Sequence, residues 1–365
     1  MSDPGAAVSV VIWGLGAMGA GIASALLGKE GVRIVGAIDV DPKKVGRDMG
    51  AALSPPRPGT GIVVTDIATA LLKDVRPHVC VIATSSFLAD VLPPVKAAVG
   101  AGANVITIAE EMAFPQAVDK GVSAEIDRRA QEAGVSVLGT GINPGFVLDT
   151  LIIALTGACT EVTGIRARRV NDLSPFGPTV LKTQGVGTTP EEFQRGVDAG
   201  TIVGHVGFAQ SLSMIATALG WGLDRIDEVK EPIISQTCRQ TPYIEIEPGQ
   251  VAGCDHSARG YIGDNEVITL EHPQQIMPEA ERKETGDFVT VEGTPGVRMA
   301  IQPEIAGGIG TMALAVNMIP AVVAAQPGLL TMDMLPVPRS IMGDFRGPAF
   351  GGSQGGGEGV RGDVK

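Results

Sequence analysis

Apolar and polar positions along the first half of the chain alternate in blocks, and the blocks differ in period. Val8 to Trp13 is a short apolar run closed by glycine, too short for a helix, so it predicts a buried strand. Ala20 to Leu27 continues as a helix, and Arg33 to Ile38 is a second short apolar run. Further strands are predicted at 61–65, 78–83, 104–109 and 135–138. Helical patterns lie between them at 66–75, 87–101 and 117–134, and DPKKVGRDMGAAL (41–53) reads as a helix with Pro42 in its first turn. Strands alternating with helices predict an α/β fold, a doubly wound parallel sheet. The apolar run FVLDTLIIALTG, from Phe146, reads as a helix leaving that unit.

From residue 161 the pattern changes. EVTGIRARRV alternates as a strand, as do 241–247, 266–271, 286–292 and 297–302, with helices at 190–199 and 206–219. This predicts a second α+β domain of mostly antiparallel strands. The expected division is residues 1–150, a dinucleotide-binding domain; 151–305, a substrate and dimerisation domain; 306–342, a return helix (308–325) and C-terminal segment; and 343–365, a glycine-rich tail read as disordered.

The first strand–helix junction carries chemistry. Gly14, Gly16 and Gly19 stand in G-x-G-x-x-G spacing, which permits a tight turn, close approach to a pyrophosphate and close helix packing in turn. The helix N-terminus then offers free N–H groups to phosphate. Asp39, 20 residues past Gly19, closes the second strand where a carboxylate accepts ribose hydroxyls. These features are the signature of a Rossmann sheet. Gly14, Gly16, Ala17, Met18, Gly19, Asp39, the strand-end triplet Thr84, Ser85, Ser86, and Asn143 are the expected cofactor contacts. Asp39 favours NAD(H). Lys43, Lys44 and Arg47 are either an exposed face or a means of tolerating the 2′-phosphate of NADP(H).

Composition narrows the partners. A formal charge of −12 argues against nucleic acid and anionic membrane. Cys80, Cys159, Cys238 and Cys254 lack paired spacing and read as reduced packing thiols, and no Cys or His pair has zinc spacing, so no metal is expected. Residues 8–28 and 305–332 lack charge but are broken by Gly, Pro, Asn and Gln, which favours buried core over membrane spans. No basic region precedes the first apolar run, so a cytoplasmic protein is expected.

Other polar groups are candidates for a site. Glu110 and Glu111 follow the strand VITIA, at the carboxyl end where a crevice would lie, and one of them is expected to enter it. GTGINPGF (139–146) is a rigid loop that could form a nicotinamide or substrate wall, with Asn143, Pro144 and Phe146 on it. Arg169 and Asn171 end the strand RARRVND; His205 begins a helix and His272 ends a strand. His78 reads as structural, and His256, in CDHSARG, as exposed in a turn.

The combination VVIWGLGAMG, VITIAEEMAFP, LGTGINPGFVLDTL, RVNDLSPFG, TVLKTQGVG, LEHPQQI and GGIGTMALAVNMIPAVVAAQPGLLTM resembles the 2,4-diaminopentanoate dehydrogenase and native amine dehydrogenase family, dihydrodipicolinate-reductase-like proteins. The resemblance spans about residues 8–342. It implies a homodimer that binds NAD(H) or NADP(H), and reductive amination of a short ketone or 4-oxo acid with ammonia, with oxidative deamination of an amine as the reverse. It implies Glu110 as general acid–base, with Glu111 as the alternative, and Arg169, His205 and His272 around a substrate carboxylate; Asn171, Pro144 and Phe146, read from the strand end and the rigid loop, complete the expected substrate contacts. Two rival readings remain. A dihydrodipicolinate-reductase-type imine reductase would carry adjacent histidines, which this chain lacks. A non-catalytic dinucleotide sensor would need no Glu110, and an assay with NADH, ammonia and a ketone separates it.

Overall fold

The computed structural model describes residues 7–346. Its first sheet has seven parallel strands: β1 (Val8–Trp13), β2 (Val32–Ile38), β3 (Val64–Thr65), β4 (Val79–Ile82), β5 (Asn104–Thr107), β6 (Ser136–Gly139) and, from the far end of the chain, β15 (Gly328–Leu330). Their spatial order is β15-β6-β5-β4-β1-β2-β3, so the order reverses beside β1. Ligand crevices open at such a reversal, at the strands' carboxyl ends. Val10, Val11 and Ile12 in the central strand are fully buried, each such side chain contributing roughly 1.5–3 kcal/mol by leaving water.

The second sheet comprises β7 (Glu161–Asp172), β8 (Arg225–Ile234), β11 (Val251–Ile262), β12 (Asn265–Gln275), β13 (Gly286–Thr294) and β14 (Val297–Ile301), in the order β14-β13-β7-β12-β11-β8. Every pairing is antiparallel except β7 with β12. The α/β and mostly antiparallel α+β readings therefore both hold. A separate ribbon joins β9 (Arg239–Gln240) to β10 (Glu245–Ile246).

The return segment is two helices, Gly307–Asn317 and Ile319–Ala324. By length and composition alone the stretch Gly307–Ala324 could cross a membrane; here it is 44% buried. It packs on the first helix, Ala17–Leu26, where Met312 occupies the space a side chain on Gly21 would need.

Several expectations need correction. Residues 41–53 form turns and a 3-10 turn (Met49–Ala52), because Asp48 captures the N–H groups of Gly50, Thr60 and Gly61. The helix expected from Phe146 begins at Thr150, since Asp149 takes the N–H groups of Gly145 and Thr150. The strand expected at 241–247 is cut by a turn in which Ile244 and Thr241 pair. His256 is buried in mid-strand β11, not exposed in a turn, and β8 was not foreseen. Residues 343–346 do not begin a loose tail: Phe345 is buried and its N–H donates to Glu30. The remainder of the expected disordered tail, 347–365, lies outside the described residues. Cys80 and Cys254 are buried as expected, burial pushing each thiol up to about 12, but Cys238 is exposed.

Candidate active site

A cleft of about 690 Å³ opens where the carboxyl ends of the first sheet meet the second sheet. One wall is the glycine loop. Gly14 has φ of +95°, and a Cβ there would sit 2.5 Å from the Ala83 carbonyl oxygen. A Cβ on Gly19 would fall 1.8 Å from the Gly14 carbonyl oxygen, whereas one on Gly16 would meet nothing within 4 Å. Gly14 and Gly19 therefore shape the loop, and Gly16 faces open space. The helix Ala17–Leu26 starts there with no side-chain cap and no acid in its first turn. Its free N–H groups and partial positive charge suit an anion such as a pyrophosphate.

Asp39 ends this wall and is buried. Its Oδ2 accepts the Leu15 N–H at 2.7 Å and the Lys44 ammonium at 2.9 Å, and its Oδ1 accepts the Asp41 N–H at 2.8 Å. Burial opposes ionisation, but these donors outweigh it and hold the carboxyl below its ordinary value. Lys44 thus neutralises the acid expected at the ribose. Donors, an open glycine and a ribose-side acid together fit a dinucleotide.

The two adjacent glutamates part company. Both lie on the 3-10 turn Glu110–Ala113, which rests against β6 because Gly139 has no side chain: a Cβ there would be 1.9 Å from the Met112 carbonyl oxygen. Glu110 lines the cleft. Burial pushes its carboxyl above the ordinary value and Glu111 adds to this, while a hydrogen bond from Ser86 pulls it back. Glu111 turns away and accepts the N–H of Leu88 at 2.6 Å, at the start of the helix Leu88–Gly100.

The loop after β6 is held from below by buried Asp149, which accepts Gly145 N–H at 2.7 Å and the Ser211 hydroxyl at 2.9 Å. A charged residue inside an otherwise apolar run was the available signal for Asp149. Asn143 and Pro144 reach the cleft, whereas Phe146 does not line it and packs on the apolar core. The Pro144 ring lies against Gly207, where a Cβ would approach its Cδ to 2.5 Å. That contact sets the loop carrying His205, which precedes the helix Phe208–Leu219 and does not begin it.

Arg169, Asn171, His205 and His272 all line the same cleft. Arg169 is 2% exposed; its guanidinium donates to Asp287 and to the Ile305 carbonyl, each at 2.5 Å. Asp287 is fully buried and also accepts the Ile305 N–H at 3.0 Å. Burial raises its carboxyl, with Arg169 pulling the other way. The Asp287 partner was not foreseen; nothing in GDFVTV marks it as facing inward. His272 Nε2 lies 2.8 Å from Asn171 Oδ1, and its Nδ1 lies 3.3 Å from Asn143 Nδ2. Taken as Nε2–H, it donates to Asn171 and accepts from Asn143. The His205 ring stands edge-on to His272 with centroids 4.8 Å apart, and its N–H on the main chain donates to His256 Nδ1. Burial drives His205 down to about 3, with His256 and Arg169 adding to it; His272 is lowered by burial, then by His205, Arg169 and His256. Both rings are neutral near pH 7. With Asp287 balancing Arg169, this end of the cleft is rich in donors but not strongly cationic.

A family profile described as the 2,4-diaminopentanoate dehydrogenase C-terminal domain matches residues 146–349. The 2,4-diaminopentanoate dehydrogenase of Acetoanaerobium sticklandii is 48% identical over 340 residues, covering 93% of this chain and 96% of that relative. The chain belongs to the 2,4-diaminopentanoate dehydrogenase family. An amine dehydrogenase of Streptomyces virginiae is 28% identical, covering 91% of this chain and 96% of its own length. The solved amine dehydrogenase of Mycobacterium smegmatis has a TM-score of 0.79 at 29% identity, covering 92% of this chain and 97% of that one. This member of the family is accordingly an NAD(P)-dependent oxidoreductase with a nicotinamide dinucleotide cofactor and a small-molecule substrate.

Proposed function

We propose that the chain is an NAD(P)H-dependent amine dehydrogenase that interconverts an amine carrying a remote carboxylate with the corresponding 4-oxo acid and ammonia, as a homodimer in the cytoplasm. The observation that supports it most is one cleft shared by the open glycine loop, the half-buried carboxyl of Glu110, and Arg169. Ammonium needs a carboxylate to hold it and take its proton, and a carboxyl whose pKa is raised is a stronger base for that proton than an ordinary one. Glu110 fills that role here, while Glu111 is spent on helix capping.

Bound nicotinamide supplies hydride transfer, the chemistry that no side chain provides. The glycine loop holds the phosphates, Asp39 holds the ribose, and Thr84, Ser85 and Ser86 line the way toward Glu110. In deamination Glu110 accepts a proton from the substrate ammonium, passes it to solvent, and as the carboxylate again takes a proton from the water that attacks the C=N carbon and delivers it to the departing ammonia. In amination the steps reverse, with Glu110 returning the proton. Arg169 orients the remote carboxylate through the N–H groups not given to Asp287 and Ile305, and a neutral His205 adds one donor. His272 acts through Asn171 and Asn143, holding both in place. NAD(H) is the favoured cofactor, and Lys44 makes NADP(H) tolerable.

The test is NADH oxidation at 340 nm with ammonia and either 4-oxopentanoate or pentan-2-one. The acid should have the higher kcat/KM, because a buried donor left unpaired costs roughly 1–3 kcal/mol. Equal values would remove Arg169 from substrate binding, and no turnover with either would remove the amine dehydrogenase reading.

A further inference from the structure

The mechanism above leaves one buried histidine unused. His256 is 1% exposed and sits on β11, behind the lining of the cleft. Its Nδ1 accepts the main-chain N–H of His205 at 3.0 Å, so in the neutral ring the proton is on Nε2. Nε2 lies 3.1 Å from Glu228 Oε2 on β8 and donates to it. Two hydrogen bonds in series therefore run from an exposed carboxylate, through a buried imidazole, to the backbone of a cleft residue.

The segment around His205 is built against this ring. Phe208 stands edge-on to both imidazoles, with centroids 4.8 Å from each. Gly204 closes in beside it with φ of +66°, and a Cβ there would lie 2.7 Å from His256 Nδ1. The Gly204 carbonyl accepts Gln184 Nε2 at 2.9 Å, the Oε1 of that amide having no partner among the described residues. The N–H groups of Val203 and Gly204 both reach the Thr183 carbonyl. Residues 203–205 are thus tied on two sides, and the tie at His205 needs the lone pair of His256.

We propose that Glu228 and His256 are positioning residues for His205, holding its ring where it donates to the remote carboxylate of the substrate. The proposal rests on the reading of this cleft as an amine dehydrogenase site. An imidazolium carries an N–H on both nitrogens, so a protonated His256 would meet the His205 N–H donor to donor and release the segment. Glu228 and Lys230 face the ring from β8, His272 from β12 and His205 from its loop, while Asp255 precedes it on β11. The helix Phe208–Leu219 contributes no titratable residue. Glu228, in direct contact, favours the imidazolium, so its removal should extend the working range of the site to lower pH.

The test has two arms. The first compares His256→Leu and His256→Asn in the 340 nm assay with NADH, ammonia and either 4-oxopentanoate or pentan-2-one. Asn places an oxygen where Nδ1 stood and keeps the acceptor; Leu removes it. His256→Leu should raise KM for 4-oxopentanoate about tenfold or more, with kcat and the pentan-2-one constants within about threefold, and His256→Asn should restore KM. Equal losses on both ketones, or no rescue by Asn, would overturn the assignment. The second arm uses Glu228→Gln, a surface change that keeps the fold, and titrates 4-oxopentanoate into the NADH-loaded protein, following nicotinamide fluorescence from about pH 5 to pH 8. Binding by the wild type should weaken toward acid, and in Glu228→Gln that weakening should begin about half a unit lower or more. An unmoved profile would overturn the assignment even if His256→Leu fails to fold. No turnover of either ketone by the wild type would overturn the amine dehydrogenase reading instead, and the proposal with it.

Discussion

Replacing Arg169 by Met tests how the donor-rich end of the cleft is held, and the pairing with Asp287 decides the outcome. The carboxylate of Asp287 is fully buried, with Arg169 at 2.5 Å and the Ile305 N–H at 3.0 Å as its partners. Removing the cation strands a charge in a low-dielectric interior, a loss of about 3–5 kcal/mol for a buried pair. The retained Ile305 N–H places the expected cost at the lower end. For a chain of this size that lowers Tm by roughly 5–10 °C. The sign with pH follows from Asp287. Without Arg169 its folded pKa rises well above the unfolded value near 4, so its contribution to stability is lost as pH rises through that window. The deficit of Arg169→Met should be deeper at about pH 8 than at about pH 5. The double variant Arg169→Met/Asp287→Leu removes both charges and should recover most of the stability, while remaining unable to prefer 4-oxopentanoate over pentan-2-one. Thermal denaturation by circular dichroism at both pH values, with the 340 nm assay alongside, measures all of this. A single variant within about 2 °C of wild type at both pH values, with no gain in the double, would refute the reasoning.

Glu110→Gln should reduce turnover by about 10²–10⁴-fold while NADH binding, read by fluorescence, is retained, whereas Glu111→Gln should mainly lower stability through the Leu88 contact. The reverse ranking would exchange their roles. Because Glu110 is raised and must be ionised to accept the proton, kcat/KM for deamination should climb with pH through a value above the ordinary glutamate range, and a profile that is flat there would argue against it as the base. At the ribose, Lys44→Ala should leave Asp39 unneutralised and lower NADPH use relative to NADH, and Asp39→Ser should raise it about tenfold or more; a ratio of kcat/KM values unmoved by both would place the 2′-position elsewhere.

What the sequence determined by itself was everything governed by local order. The β1 run, the spacing of Gly14, Gly16 and Gly19, and Asp39 are legible because strand, turn and helix start are contiguous, and alternating strands and helices leave few topologies. The family motifs carried Glu110, Arg169, His205 and His272 as residue types, but not their pairing. Tertiary structure decided the rest. It put Glu110 in the cleft and Glu111 on a helix start, because a 3-10 turn and not a continuing strand follows β5. It buried His256, whose polar neighbours in sequence point the other way along a strand covered on one face only. It gave Arg169 a partner 118 residues away and left Gln184 with one unmade bond, and neither leaves a trace in spacing. Period and composition record how a segment meets water. Which two buried polar groups meet each other depends on the register between strands and loops far apart in the chain, and only the packed fold sets that.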